Sequence, residues 1–322
     1  MTARDERAEL TGENAADGVA DAAIQVGIKC RADDDPISAR PWNSIIYRIP
    51  SHINKIPTML SDEEGRMLRW VAEFDYRGAG AICELGTFVG GSTARLAFGL
   101  SLNQHARGTI HCYDRYECAE NMKQKLLYSR GISEFAGGDV LPLAKSLLRE
   151  FDQILSFHKG DILDVSWSGG PIEILFLDIL KTVPIADHVS ATFFPLLIPG
   201  RSLLIQQDYF YFRNPWVVVQ MELLKDYLDL VGYTDSHSAV FRCRRKISVE
   251  AAKRSSWSTL GPEQRSQRLL DAIRRFPHMR QREMLAECRR AADCNPAATV
   301  AWQVKLPPPN RESLDRYLAG PE

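Results

Sequence analysis

The segment Ile172–Asp178, IEILFLD, is apolar at nearly every position. Successive side chains of a strand point to opposite faces, so such a strand is stable only where helices cover both sides of its sheet. Its neighbours in the chain supply those helices. AICEL (81–85) reads as a strand and Ser92–Leu102 as a helix; TIHCYD (109–114) is a second strand, followed by helical spacing over Cys118–Leu127. A helix over Leu141–Phe151 leads to a strand near Ile154–His158. After IEILFLD, a helix over Ile185–Leu197 ends at Pro199-Gly200, and SLLIQQ (202–207) is the fifth strand. A helix over Trp216–Leu230 precedes Gly232 and a hairpin made of YTDSHS and AVFRCRR. Alternating strands and helices imply right-handed crossovers and a mainly parallel sheet, while the last two strands, with no helix between them, form an antiparallel pair at its edge. The expected class is α/β and Rossmann-like.

The flanks read differently. Residues 1–40 carry Ala, Asp, Glu and Gly with few large apolar groups, the composition of a loosely ordered tail with one helical turn around Val19–Val26. Residues 41–76 form a helical cap, in which Ser61 and Glu64 make a capping box for a helix over Asp62–Phe74. The α/β domain spans 77–246, and a basic helical extension spans 247–322, with helical spacing in QRLLDAIRRF and REMLAECRRAA. Its basic residues suit a packing or dimer helix, an anionic substrate or carrier, or nucleic acid; the aromatics that stack bases are sparse, which makes nucleic acid the weakest of the three. The net charge of −1 argues against a wholesale nucleic-acid or membrane partner. No apolar run reaches the roughly 18–20 residues of a spanning helix. The polar N-terminus does not read as a secretory signal. Seven cysteines form no CxxC pair and fit a reducing cytoplasm.

Chemistry enters at Glu84-Leu85-Gly86-Thr87-Phe88-Val89-Gly90-Gly91-Ser92-Thr93, between the first strand and its helix. A dinucleotide fingerprint, G-x-G-x-x-G, uses its second glycine to let a diphosphate approach the backbone. Phe88 stands there instead, and the carboxylate of Glu84 repels phosphate. A nucleoside bearing an amino acid and a sulfonium suits E-x-G-x-x-x-G-x-S better.

This stretch resembles the first motif of the class I S-adenosylmethionine-dependent methyltransferases, and the resemblance covers roughly residues 45–246. It implies a seven-stranded, mainly parallel sheet with an antiparallel last strand. It also implies cofactor contacts from Glu84, Gly86, Thr87, Phe88, Gly90, Ser92 and Thr93. Asp114, ending the second strand beside Arg115, would take the ribose hydroxyls; Asp161 and Ile162, after the third strand, would meet the adenine; Asp178, ending the fourth, would lie beside the methyl-transfer site. ELGTFVGGST is similar to the small-molecule O-methyltransferases related to macrocin O-methyltransferase. FLDILK looks like the catechol and caffeoyl-CoA branch, in which an Asp binds Mg²⁺ and a Lys three residues on removes the acceptor proton; Asp178 and Lys181 repeat that spacing.

Both branches imply a further acidic pair at the end of the fifth strand. Here Gln206 and Gln207 stand there, and neutral amides are poor Mg²⁺ ligands; Asp208 follows at once. No metal ligands are assigned, and Mg²⁺ remains a secondary expectation. Leu180 replaces the acid that the macrocin branch carries two residues after the fourth-strand Asp. Lys181, if burial lowers its pKa, is the first candidate base, with Asp208 second and Asp178 beside them. Gln207, Tyr209, Tyr211 and Trp216 are the expected acceptor contacts, an aromatic cluster that would otherwise be core. His158 and His188 read as structural. The expected activity is methyl transfer from S-adenosylmethionine to an oxygen of a small metabolite, without a required metal; a cofactor-binding scaffold and an NAD oxidoreductase are the alternatives.

Overall fold

The computed structural model describes residues 35–44, 47–306, 308 and 311–319. Residues 1–34, including the turn expected at Val19–Val26, lie outside the described residues.

Seven strands form one sheet: β1 Ala81–Leu85, β2 Ile110–Asp114, β3 Leu155–Lys159, β4 Ile172–Leu177, β5 Leu203–Gln206, β6 Leu228–Tyr233 and β7 Ala239–Cys243. Their order is β3-β2-β1-β4-β5-β7-β6. β1 to β5 are parallel, and β7 runs antiparallel to both β5 and β6. The expected mixed sheet with an antiparallel last strand is what forms, and the last two strands are the expected antiparallel pair at its edge, with β7 between β5 and β6. Strand order reverses between β1 and β4, which opens a crevice at their carboxyl ends.

The two-faced character of β4 is met as its sequence requires. Ile174 and Phe176 pack with Ile82 and Ile205 on one face; Leu175 and Leu177 pack with Leu85 and Leu204 on the other. The first face is covered by helix α1 (Asp62–Trp70), which runs on as a π turn over Val71–Asp75, and by α2 (Gly91–Leu102). α3 (Glu120–Leu126) and α4 (Leu141–Leu147) enclose a smaller cluster around Tyr116. The second face is covered by α5 (Val183–Phe193) and α6 (Pro215–Leu223). The helix expected over Trp216–Leu230 stops at Leu223, because Leu228–Leu230 pair with β7; ladder hydrogen bonds override the local helical pattern.

Helices α7 (Val249–Arg254), α8 (Pro262–Arg275), α9 (Met279–Cys294) and α10 (Arg311–Ala319) follow. Leu269, Ile273, Phe276 and Leu285 share one core with Leu204 and Val217, so the expected boundary at residue 246 marks a change of composition within a continuous core. Several basic side chains of the extension are used internally. Arg275 pairs with Glu222 at 2.8 Å, Arg265 lies 4.3 Å over the Trp257 ring, and Arg289 donates to the Tyr317 carbonyl at 3.0 Å.

The tail expected to reach residue 40 is corrected at its described end. Ile37 is fully buried and Asp35 pairs with Arg242 at 2.8 Å, so Asp35–Arg40 belongs to the body. Glu63 ties this segment to the β6–β7 hairpin by accepting from Arg40, from Trp42 Nε1 (3.1 Å), from Asn43 Nδ2 (3.0 Å) and from the amide of Asp235 (2.7 Å). Among the described residues no helix is long and apolar enough to cross a membrane.

Candidate functional site

The chain leaves β1 through a turn that only glycine permits at two positions. Gly86 has φ of 105°, and a Cβ there would sit 2.5 Å from the Asp178 carbonyl oxygen, so the loop lies directly against the end of β4. Gly90 caps α2 in the left-handed region. Phe88 also has positive φ, 51°, a conformation held by its amide donating to Asp114 Oδ2 at 2.9 Å. Several of the loop's donors are used within the protein: Gly86 and Thr87 both donate to the Tyr113 carbonyl, and Gly90 donates to that of Thr87.

Beneath the loop, Glu84 is fully buried. Its Oε2 accepts from Thr93 Oγ1 and from Thr87 Oγ1 at 3.4 Å, whereas Oε1 has no hydrogen-bond partner. Burial pushes the carboxyl up to about 7, only partly offset by the hydroxyls of Ser92, Thr93 and Thr87. A buried carboxylate oxygen without a donor is costly, and a cationic or N–H-bearing ligand would relieve that cost.

Asp114 ends β2 with Oδ2 held by Phe88 and Oδ1 by the amide of Tyr116 at 2.6 Å. Burial raises its pKa, with those amides opposing. Each carboxylate oxygen keeps a lone pair for a ligand hydroxyl. Arg115 is exposed and reaches Glu117 at 3.1 Å and Asp161 at 4.0 Å. Asp161 caps the short turn Ile162–Asp164 by accepting from Leu163, and Ile162 is buried. The expected cofactor residues therefore line one strip along the carboxyl ends of β1, β2 and β3.

The strip continues to β4 and β5. Lys181 Nζ lies between two carboxylates, 2.9 Å from Asp178 Oδ1 and in contact with Asp208 Oδ2. Asn214 Nδ2 donates to Asp208 Oδ2 at 2.8 Å. With its amide nitrogen turned toward the acids, Gln207 donates to Asp178 Oδ1 at 3.2 Å and Asp208 Oδ1 at 2.7 Å. Burial raises Asp178, and Asp208 adds to that, while Lys181 opposes. Burial alone would lower Lys181, but the flanking carboxylates outweigh it and hold the ammonium well above its ordinary value. The sequence-based reading of Lys181 as an amine neutralised by burial is thus corrected.

Two expected acceptor contacts are also corrected. Tyr209 is 1% exposed and packs its ring on Phe210, Phe241 and Phe276. Trp216 is equally buried, and its Nε1 donates to the Leu180 carbonyl at 2.8 Å, which supports the loop carrying Lys181 from behind. Gln206 is turned into the core against Met221. Tyr211, half-buried, stays at the mouth, 5.5 Å from the His237 ring on the β6–β7 hairpin. His158 stacks on Tyr113 at 4.3 Å, and His188 meets the Val165 carbonyl at 3.0 Å.

Three site residues escaped the sequence reading. Asn214 was legible only as an Asn-Pro helix start, whereas its side chain serves Asp208. Glu64 signalled a capping box, yet its other oxygen accepts from Ser238 Oγ at 2.7 Å and its charge raises Asp178. His237 gave no signal at all, because only the hairpin's docking on Phe210 brings it near.

No protein-family model matches the chain, and no curated protein matches it. Solved structures do. The O-methyltransferase NovP is 16% identical over 58% of this chain and 82% of its own, with a TM-score of 0.45. A putative O-methyltransferase from Klebsiella pneumoniae is 16% identical over 73% of this chain and 92% of its own, with a TM-score of 0.40. Cofactor-bound Rv0187 from MTB is 18% identical over 70% of this chain and 96% of its own, with a TM-score of 0.40.

Proposed function

We propose that this protein is an S-adenosylmethionine-dependent methyltransferase that acts on an oxygen of a small-molecule acceptor. The observation that carries the reading is the unpaired Oε1 of buried Glu84, set under the glycine loop at the end of β1. A buried carboxylate there disfavours a diphosphate and suits a cationic amino-acid group. Asp114 would hold the ribose hydroxyls, and Asp161 with Ile162 the adenine. The same features argue against NAD.

Held there by Glu84, Asp114, Asp161 and Ile162, the cofactor would supply an electrophilic methyl group for an acceptor oxygen. The protein's part is positioning and removal of the acceptor proton. Asp178, raised toward neutrality and next to the glycine loop, is the proton acceptor in this scheme. Asp208 shares the acceptor site through Gln207, and Tyr211 walls its mouth.

Titration calorimetry with S-adenosylmethionine and with NADH tests the cofactor. Binding of the first alone is expected; tight NADH binding without S-adenosylmethionine binding sinks the reading. Incubation with S-adenosylmethionine and a metabolite extract should form S-adenosylhomocysteine. Failure with every acceptor, with and without Mg²⁺, would leave a cofactor-binding scaffold.

A further inference from the structure

The acids at the ends of β4 and β5 would ordinarily invite a divalent cation. Mg²⁺ asks for hard oxygens in near-octahedral array, usually with carboxylates among them. Asp178 and Asp208 converge from adjacent strands, and the carbonyl ends of Gln207 and Asn214 are close by. Yet the gap is filled, because Lys181 Nζ bonds to one oxygen of each carboxylate. Asn214 turns its N–H group, not its oxygen, toward Asp208; with its nitrogen turned inward, Gln207 donates to both acids. A cation entering here would have to expel that ammonium and reverse the Asn214 amide. Among the described residues no group of three or more His, Cys, Asp and Glu could hold a metal ion.

We propose that the Lys181 ammonium is the resident cation of this site, taking the place of a divalent metal and orienting the acceptor oxygen. An ammonium has three donors, and Asp178 and Asp208 take two of them. The side chain is 40% exposed, so the third donor faces the side from which an acceptor enters. A hydroxyl or phenolate oxygen accepting that bond is brought next to Asp178, the proton acceptor. Lys181 is then a positioning cation that remains protonated, and Gln207 and Asn214 are tuned to two carboxylates already neutralised from within. Only the identity of the acceptor oxygen rests on the methyltransferase reading; the occupancy of the cation position does not.

The test uses Mn²⁺ as probe and the full chain, with free Mn²⁺ followed by electron paramagnetic resonance. Wild-type protein is expected to bind no Mn²⁺ at concentrations on the order of a millimolar. Lys181→Met should gain at least tenfold in Mn²⁺ affinity and lose that gain when Asp208→Asn is added. Lys181→Arg, which keeps a cation, should behave as wild type. Mn²⁺ binding by wild-type protein that Asp178→Asn abolishes would overturn the proposal, as would a folded Lys181→Met variant with no gain. Should Lys181→Met fail to fold, wild-type melting decides. An unchanged midpoint with Mg²⁺ or chelator supports the resident cation, and a clear Mg²⁺-dependent rise refutes it, since a ligand that binds only the native state raises the midpoint. Absence of S-adenosylmethionine binding would leave these metal results intact, so the two readings fail separately.

Discussion

The two ends of the sheet hold buried carboxylates in opposite conditions. At the amino ends, Asp75 accepts from Arg242 through both oxygens at 2.9 and 3.0 Å and from Arg201 at 2.9 Å. Glu173 beside it takes the amides of Arg77 and Ala79, both at 2.6 Å, and Arg201 Nε at 2.7 Å. Burial alone would raise Asp75, but Arg242, Arg201 and Arg77 overcome it and hold the carboxyl below its usual range. At the carboxyl ends, Glu84 is as deeply buried, keeps an oxygen without a donor and is pushed up. Burial is the same and partnership differs. Of these carboxylates, those that tie chain segments together are bonded on both oxygens, and Glu84 is not.

Breaking the first network should cost the most. Asp75→Ala takes a buried carboxylate from Arg242, which keeps Asp35, and from Arg201, which keeps Glu173; it is expected to lower unfolding stability by about 3 kcal/mol in urea titrations, with cofactor affinity per folded molecule unchanged. The sign with pH follows from the lowered carboxyl: its contribution is complete above the ordinary carboxylate range and is lost as pH falls through the folded value. Glu84→Gln should do the reverse. It removes an ill-paired buried charge, so stability should hold or rise, while S-adenosylmethionine binding weakens by about 1–3 kcal/mol in calorimetry. A Glu84→Gln variant that loses stability and keeps its affinity would erase the contrast between the two ends.

The same contrast has a pH signature. Glu84 is raised in the fold, so its contribution to stability is complete below the unfolded carboxylate range and is lost as pH rises through about 7. A ligand cation needs the ionised form. Cofactor affinity should therefore fall about tenfold, or about 1.4 kcal/mol, per pH unit below that value, and Glu84→Gln should flatten the profile. A wild-type profile flat from pH 5 to 8 would show that Glu84 meets no cation.

The fold was legible because its signals are local and redundant. IEILFLD demanded two covered faces, and each strand around it carried its own period. The helix end at Leu223 was not legible, since Leu228–Leu230 gain β structure only from pairing with β7. At the site, the residue types at strand ends were readable one by one, but their states were not. Lys181 looks the same in sequence whether one carboxylate or two surround it, and two distant strands decide that. Asn214, Glu64 and His237 acquire their places through loop and hairpin packing that no spacing encodes. Aromatic content after β5 likewise could not separate wall from core, and Tyr209 and Trp216 fell on the core side.

Trp216 gives the finest test of the division, because it combines the properties of both ends. It adjoins the acceptor site yet is buried and fully partnered, its indole donating to the Leu180 carbonyl. Like Asp75, its polar group is satisfied within the fold, so its expected role is structural. Trp216→Phe keeps most of the apolar contact and leaves the Leu180 carbonyl without its donor. It should cost about 0.5–1.5 kcal/mol of stability, with acceptor KM unaltered and at most a small fall in kcat from looser placement of Lys181. A raised acceptor KM at unchanged stability would put Trp216 back in the pocket wall.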